Sequence, residues 1–107
     1  MLIKLESPIN RYYVQTLCMI FFPGVKFGEN EEESEDNPSL YLTTVKNDTG
    51  ITAYAEMSFM GKTCRAERSA DFTDLRTEER TLKLAVGDAI DLVMHQANFK
   101  TYVDAIV

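Results

Sequence analysis

Chemically reactive side chains are scarce in this sequence, which has two cysteines and one histidine in 107 residues. Cys18 and Cys64 lie far apart and form no Cys-x-x-Cys pair, which argues against a zinc site and gives little support to a disulfide framework. Both sit in apolar runs and read as buried free thiols in a reducing compartment. His95 has Asp91 one helical turn before it, but no second histidine and no nucleophile at motif spacing. A surface histidine is therefore preferred over a metal ligand or general base. There is no Gly-rich phosphate loop, no Gly-x-Ser-x-Gly elbow and no His-Glu-x-x-His pair. The apolar run Leu17 to Phe22 is too short to span a bilayer and lacks the flanks of a signal peptide. The expectation is a cytoplasmic domain with no catalytic, cofactor-binding or metal-ligating residues of its own.

Charge is unevenly spread. The formal net charge is -6, and Glu29, Glu31, Glu32, Glu33, Glu35 and Asp36 account for it. The remaining acids and bases cancel, at 11 each. The acidity belongs to one loop, 29–38, rather than to the whole surface. Repulsion among its carboxylates predicts a mobile, solvated segment, and deletion of Glu31 to Asp36 is expected to leave the melting temperature nearly unchanged. A calcium loop would need regular ligand spacing around a central glycine, and this run has neither.

What is present is a patterned core. A chain of this length forms one domain and can bury roughly 60–70% of its unfolded surface. Ile51, Ala53, Ala55, Met57 and Phe59 alternate with Thr52, Tyr54, Glu56 and Ser58, which predicts a strand with one apolar face. Met60-Gly61 is the following turn. That loop sets Phe59 opposite Lys62, Met57 opposite Cys64, Ala55 opposite Ala66, and Glu56 opposite Arg65 on the wet face. Ser39 to Lys46 is a further strand, joined through the loop Asn47-Asp48-Thr49-Gly50. Four loop residues place Leu42 opposite Ala55 and Leu40 opposite Met57. The wet face then carries Tyr41, Thr43 and Val45 beside Tyr54 and Glu56.

Leu82, Ala85, Val86, Ala89, Ile90, Val93 and Ala97 follow helical spacing and predict a helix over 77–98. Asp74 and Thr77 are both candidate caps, and Glu78 and Glu79 suit the positive end of the helix dipole. Gly87, in mid-helix, costs about 1 kcal/mol against alanine. Its reading is close approach to the alanine-rich strands.

Near the start, Leu2 to Leu5 reads as a short strand with Ile3 and Leu5 on one face. Ser7-Pro8 signals a helix start. Ile9, Tyr13, Leu17 and Ile20 recur at helical spacing, with Val14, Cys18 and Phe21 widening the stripe, until Pro23-Gly24 ends the helix. Val25 to Phe27 reads as a brief strand. At the other end, Phe99, Tyr102, Val103 and Ile106 keep helical spacing as an apolar stripe. They form a candidate interaction surface and a candidate homodimer contact. An apolar terminus without a cap suggests a piece of a longer protein. The fold class is α+β, an antiparallel sheet with two helices packed on one face.

Arg65, Arg68, Arg76, Arg80 and Lys83 could together meet phosphate or an acidic partner. Glu67, Asp71, Asp74, Glu78 and Glu79 are interleaved with them. A mixed, salt-bridged surface is the preferred account, without nucleic-acid or membrane binding.

The order of these pieces resembles a family. Tyr13-Val14-Gln15 lies in a helix ending Phe21-Phe22-Pro23-Gly24, and an acidic linker follows. Then come a hairpin carrying Arg65-Ala66-Glu67-Arg68 and a helix opening Thr77-Glu78-Glu79-Arg80 with Leu82-Lys83-Leu84. This is similar to the N-terminal region of bacterial radical-SAM proteins of the oxygen-independent coproporphyrinogen III oxidase or coproporphyrinogen dehydrogenase type. The resemblance covers most of residues 1–98. It implies a non-catalytic accessory domain of a porphyrin-biosynthesis oxidoreductase, its partner being the parent's own catalytic barrel. An iron–sulfur cluster and S-adenosylmethionine would be held there by a Cys-x-x-x-Cys-x-x-Cys motif, which residues 1–107 lack. The alternative is a free-standing acidic protein-interaction domain.

Overall fold

A computed structural model of the chain describes residues 2–6, 11–21, 39–59, 61–72 and 77–97. Their element order is β1 (Leu2–Glu6), α1 (Arg11–Phe21), β2 (Ser39–Lys46), β3 (Gly50–Phe59), β4 (Lys62–Asp71) and α2 (Glu78–Ala97). Ser7-Pro8, Val25 to Phe27, the acidic loop 29–38 and the apolar stripe at Phe99, Tyr102, Val103 and Ile106 lie outside the described residues.

The strands form one sheet in the order β1-β2-β3-β4. The hairpin registers are those predicted. Leu42 faces Ala55 and Leu40 faces Met57 across β2 and β3. Met57 faces Cys64, Ala55 faces Ala66 and Glu56 faces Arg65 across β3 and β4. Gly61 takes φ 78° in the second turn, the left-handed region a tight loop demands. The four-residue loop is closed by Asn47, whose Oδ1 accepts from the backbone N–H of Thr49 at 2.8 Å and of Gly50 at 2.9 Å.

One pair departs from the antiparallel expectation. β1 lies parallel to β2, with Ile3 beside Leu40 and Leu5 beside Leu42. A two-residue or four-residue loop returns the chain antiparallel. Parallel neighbours need a crossover of about a dozen residues or more, and the segment carrying α1 supplies it.

Both helices pack on the same face, as expected. The core joins Ile3 and Leu5 of β1, Leu40 and Leu42 of β2, and Ile51, Ala53, Ala55 and Met57 of β3 to Val14, Leu17 and Cys18 of α1. Leu82, Ala85, Val86, Ala89, Ile90 and Val93 complete it from α2, which lies over β3 and β4 alike. Small residues on both sides, Ala53, Ala55, Ala66 and Ala70 against Ala85 and Ala89, leave room for the helix on the sheet. Gly87 is half-buried beside this stripe. Thr77 caps the helix, its Oγ1 accepting from the Arg80 N–H at 3.2 Å.

Helix α1 corrects one expectation. Ile20 is 68% exposed, although it shares the spacing of Tyr13 and Leu17. With about 100° per residue, the buried arc is centred between Leu17 and Cys18, and Ile20 falls beyond its edge. Spacing alone does not say where an arc is centred when apolar residues run nearly all round the helix.

Candidate functional site

Among the described residues, the sheet has one covered face and one open face. Alternation along β2 and β3 turns Tyr41, Val45 and Tyr54 outward, all of them exposed. Tyr41, Thr43, Tyr54, Glu56, Arg65 and Glu67 line a shallow groove of about 430 Å³ on this face. Its rim is held by cross-strand polar pairs. Arg65 Nε donates to Glu56 Oε2 at 2.8 Å. The Thr52 and Ser69 hydroxyls meet at 2.7 Å, and those of Ser58 and Thr63 at 3.1 Å. Tyr41 donates its phenolic proton to the Glu6 carboxylate, linking β1 to β2. Glu56 holds the Arg65 guanidinium above its ordinary pKa, through the hydrogen bond first and its charge second.

Of the basic residues singled out above, Arg65 and Arg68 are not brought together. Arg65 and Arg68 stand three positions apart on β4, and odd spacing on a strand sends them to opposite faces of the sheet. Arg65 serves the open face, while Arg68 borders a depression of about 520 Å³ with Asp88, Asp91, Leu92 and His95 of α2. His95 is exposed there, one turn from Asp91. Arg80 and Lys83 are exposed on α2, and Arg76 lies outside the described residues. Among the described residues, no group of three or more histidine, cysteine, aspartate or glutamate side chains is placed to hold a metal ion. No described helix is long and apolar enough to cross a membrane.

The two thiols differ. Cys18 is buried in α1, and desolvation pushes its pKa up to about 12, so the neutral thiol persists. Cys64 is half-buried on β4 and packs against the core beside Met57.

Two features of this surface were not apparent from sequence. The bond from Tyr41 to Glu6 depends on the parallel placement of β1. The Arg68 depression depends on which edge of the sheet α2 covers. No local pattern signals either. No protein-family model matches the chain, and no curated protein matches it.

Proposed function

We propose that this chain is a non-catalytic accessory domain, the N-terminal region of a cytoplasmic radical-SAM oxidoreductase resembling the oxygen-independent coproporphyrinogen III oxidases. The supporting observation is that the three motifs within the described residues sit on elements of the type expected from sequence, while Phe22-Pro23-Gly24 and the acidic linker lie outside the described residues. Tyr13-Val14-Gln15 lies in α1, Arg65-Ala66-Glu67-Arg68 in β4, and Thr77-Glu78-Glu79-Arg80 at the opening of α2. In this reading the iron–sulfur cluster and S-adenosylmethionine belong to the parent's barrel. The chain's own donors do not fit a cluster. Ligation takes three or four thiolates, and of the two cysteines present, Cys18 is held neutral by burial.

The test is to read the gene beyond codon 107 and to reconstitute the chain anaerobically with iron and sulfide. The expected results are a reading frame continuing into Cys-x-x-x-Cys-x-x-Cys and no cluster uptake by residues 1–107 alone. Stoichiometric cluster in this chain, or S-adenosylmethionine cleavage by it, would refute the proposal.

A second reading is favoured by the open sheet face with Tyr41, Val45 and Tyr54 exposed on it. It makes the chain a free-standing acidic domain that binds a protein through that face. A stop codon after Val107 selects it over the first.

A further inference from the structure

From the hydrogen-bonding edge of β4 we infer that this chain forms a two-fold symmetric dimer, with β4 pairing antiparallel to its copy across Ala66. The inference does not depend on the parent enzyme proposed above. Among the described residues, β4 has a neighbouring strand on one side only. The Phe72 N–H donates to Thr49 O at 2.9 Å, which points the backbone groups of Phe72 at β3. Alternation then turns those of Ala70, Arg68, Ala66 and Cys64 toward β3 as well, and those of Thr63, Arg65, Glu67 and Ser69 outward. These outward groups form a ten-residue edge suited to an added strand.

Charge selects the added strand and its register. On the open face of β4, Thr63, Arg65 and Ser69 each have a partner directly opposite on β3. Glu67 lies opposite Tyr54 and makes no ion pair or hydrogen bond among the described residues. Arg65 spends its Nε on Glu56, which leaves its other guanidinium donors. A two-fold axis through Ala66 sets Arg65 opposite the partner's Glu67, and Glu67 opposite the partner's Arg65. Thr63 then meets the partner's Ser69. All these residues are outward-pointing, so the same pairs also exchange backbone hydrogen bonds. Sliding by two residues in either direction sets Glu67 against its copy or Arg65 against its copy. Charges on an edge ordinarily discourage pairing; here they discourage every nearby register but one. The contact is isologous and closes at two chains. It also places α2 and its copy about two strand spacings, roughly 10 Å, apart, near the separation of packed helices.

Sedimentation equilibrium of the whole chain tests this. A dimer is expected, and the monomer mass at high micromolar concentration overturns the inference. Glu67→Arg should weaken the dimer at least about tenfold, because both cross-strand ion pairs become repulsive. Glu67→Pro should abolish it while leaving the monomer folded by circular dichroism, since only an outward N–H is lost. If the proline variant unfolds, the arginine variant decides alone. In a Cys64→Ser background, Ala66→Cys should oxidise to a disulfide-linked dimer. A non-hydrogen-bonded antiparallel pair brings Cα atoms to about 4.5 Å, within disulfide reach. A dimer indifferent to both Glu67 variants, or lost only on substituting Phe99 and Tyr102, would assign the contact to another surface and overturn this one.

Discussion

The ammonium of Lys46, at the end of β2, lies 2.8 Å from the Glu78 carboxylate in the first turn of α2. The same ammonium stands 5.7 Å from the centre of the Phe72 ring, so one side chain ties together the ends of β2, β4 and α2. Both members of the ion pair are nearly half exposed, at 46% and 45%, and solvent screening limits its strength. A double-mutant cycle with Lys46→Ala and Glu78→Gln should give a coupling of about 0.3–1 kcal/mol in low salt. The coupling should fade at high ionic strength. A coupling that persists in molar salt would mean that packing, not charge, joins the two residues.

Cys18 should respond to alkali. Its thiol titrates near 9 in the unfolded chain and near 12 when folded. A raised folded pKa contributes stability that is fully present below pH 9 and is lost as pH climbs toward 12. Urea unfolding followed over pH 8 to 11 should show this loss, and Cys18→Ala should flatten it. A Cys18 that reacts with a thiol reagent at neutral pH as fast in the native as in the unfolded protein would contradict the burial.

Gly50 has no room for a side chain. A Cβ there would lie 2.2 Å from the Ala70 carbonyl oxygen and 3.0 Å from the Asp71 Cα, both backbone atoms of the paired strand. Gly50→Ala should therefore destabilise by about 2 kcal/mol, read as a fall in urea midpoint at constant slope. Asn47→Ala, which removes the acceptor that closes the same loop, should cost about 1 kcal/mol.

The two faces of the sheet should differ in energetic weight. Ile90 is fully buried between α2 and the sheet, so Ile90→Ala should cost about 2–5 kcal/mol. Tyr54, 43% exposed on the open face, should lose less than about 1 kcal/mol on replacement by alanine. A Tyr54→Ala variant as unstable as Ile90→Ala would show that the open face is covered in solution.

Much of this architecture was legible residue by residue. Alternation from Ile51 to Phe59 declared the buried face, and the short loops at 47–50 and 60–61 could join their strands in only one register. Asp74 and Thr77 both marked the start of α2, with two glutamates following, and the structure shows Thr77 in the capping hydrogen bond. The candidate surface was harder to read. Alternation marks Tyr41 and Tyr54 as wet-face residues, whereas a run of basic residues does not by itself show that Arg65 and Arg68 fall on opposite faces of the sheet.

Sequence by itself determined what depends on neighbours within a few residues: the hairpin registers and the burial of Met57, Ala55 and Val86. Those follow from the two-residue and 3.6-residue periods, which are properties of the backbone. Tertiary structure alone decided the parallel seat of β1 beside β2, the outward turn of Ile20, the meeting of Lys46 with Glu78, and, among the described residues, the one-sided pairing of β4. Each of these joins elements far apart in the chain. Loop entropy and the packing of whole faces govern such encounters, and neither is written in any local pattern.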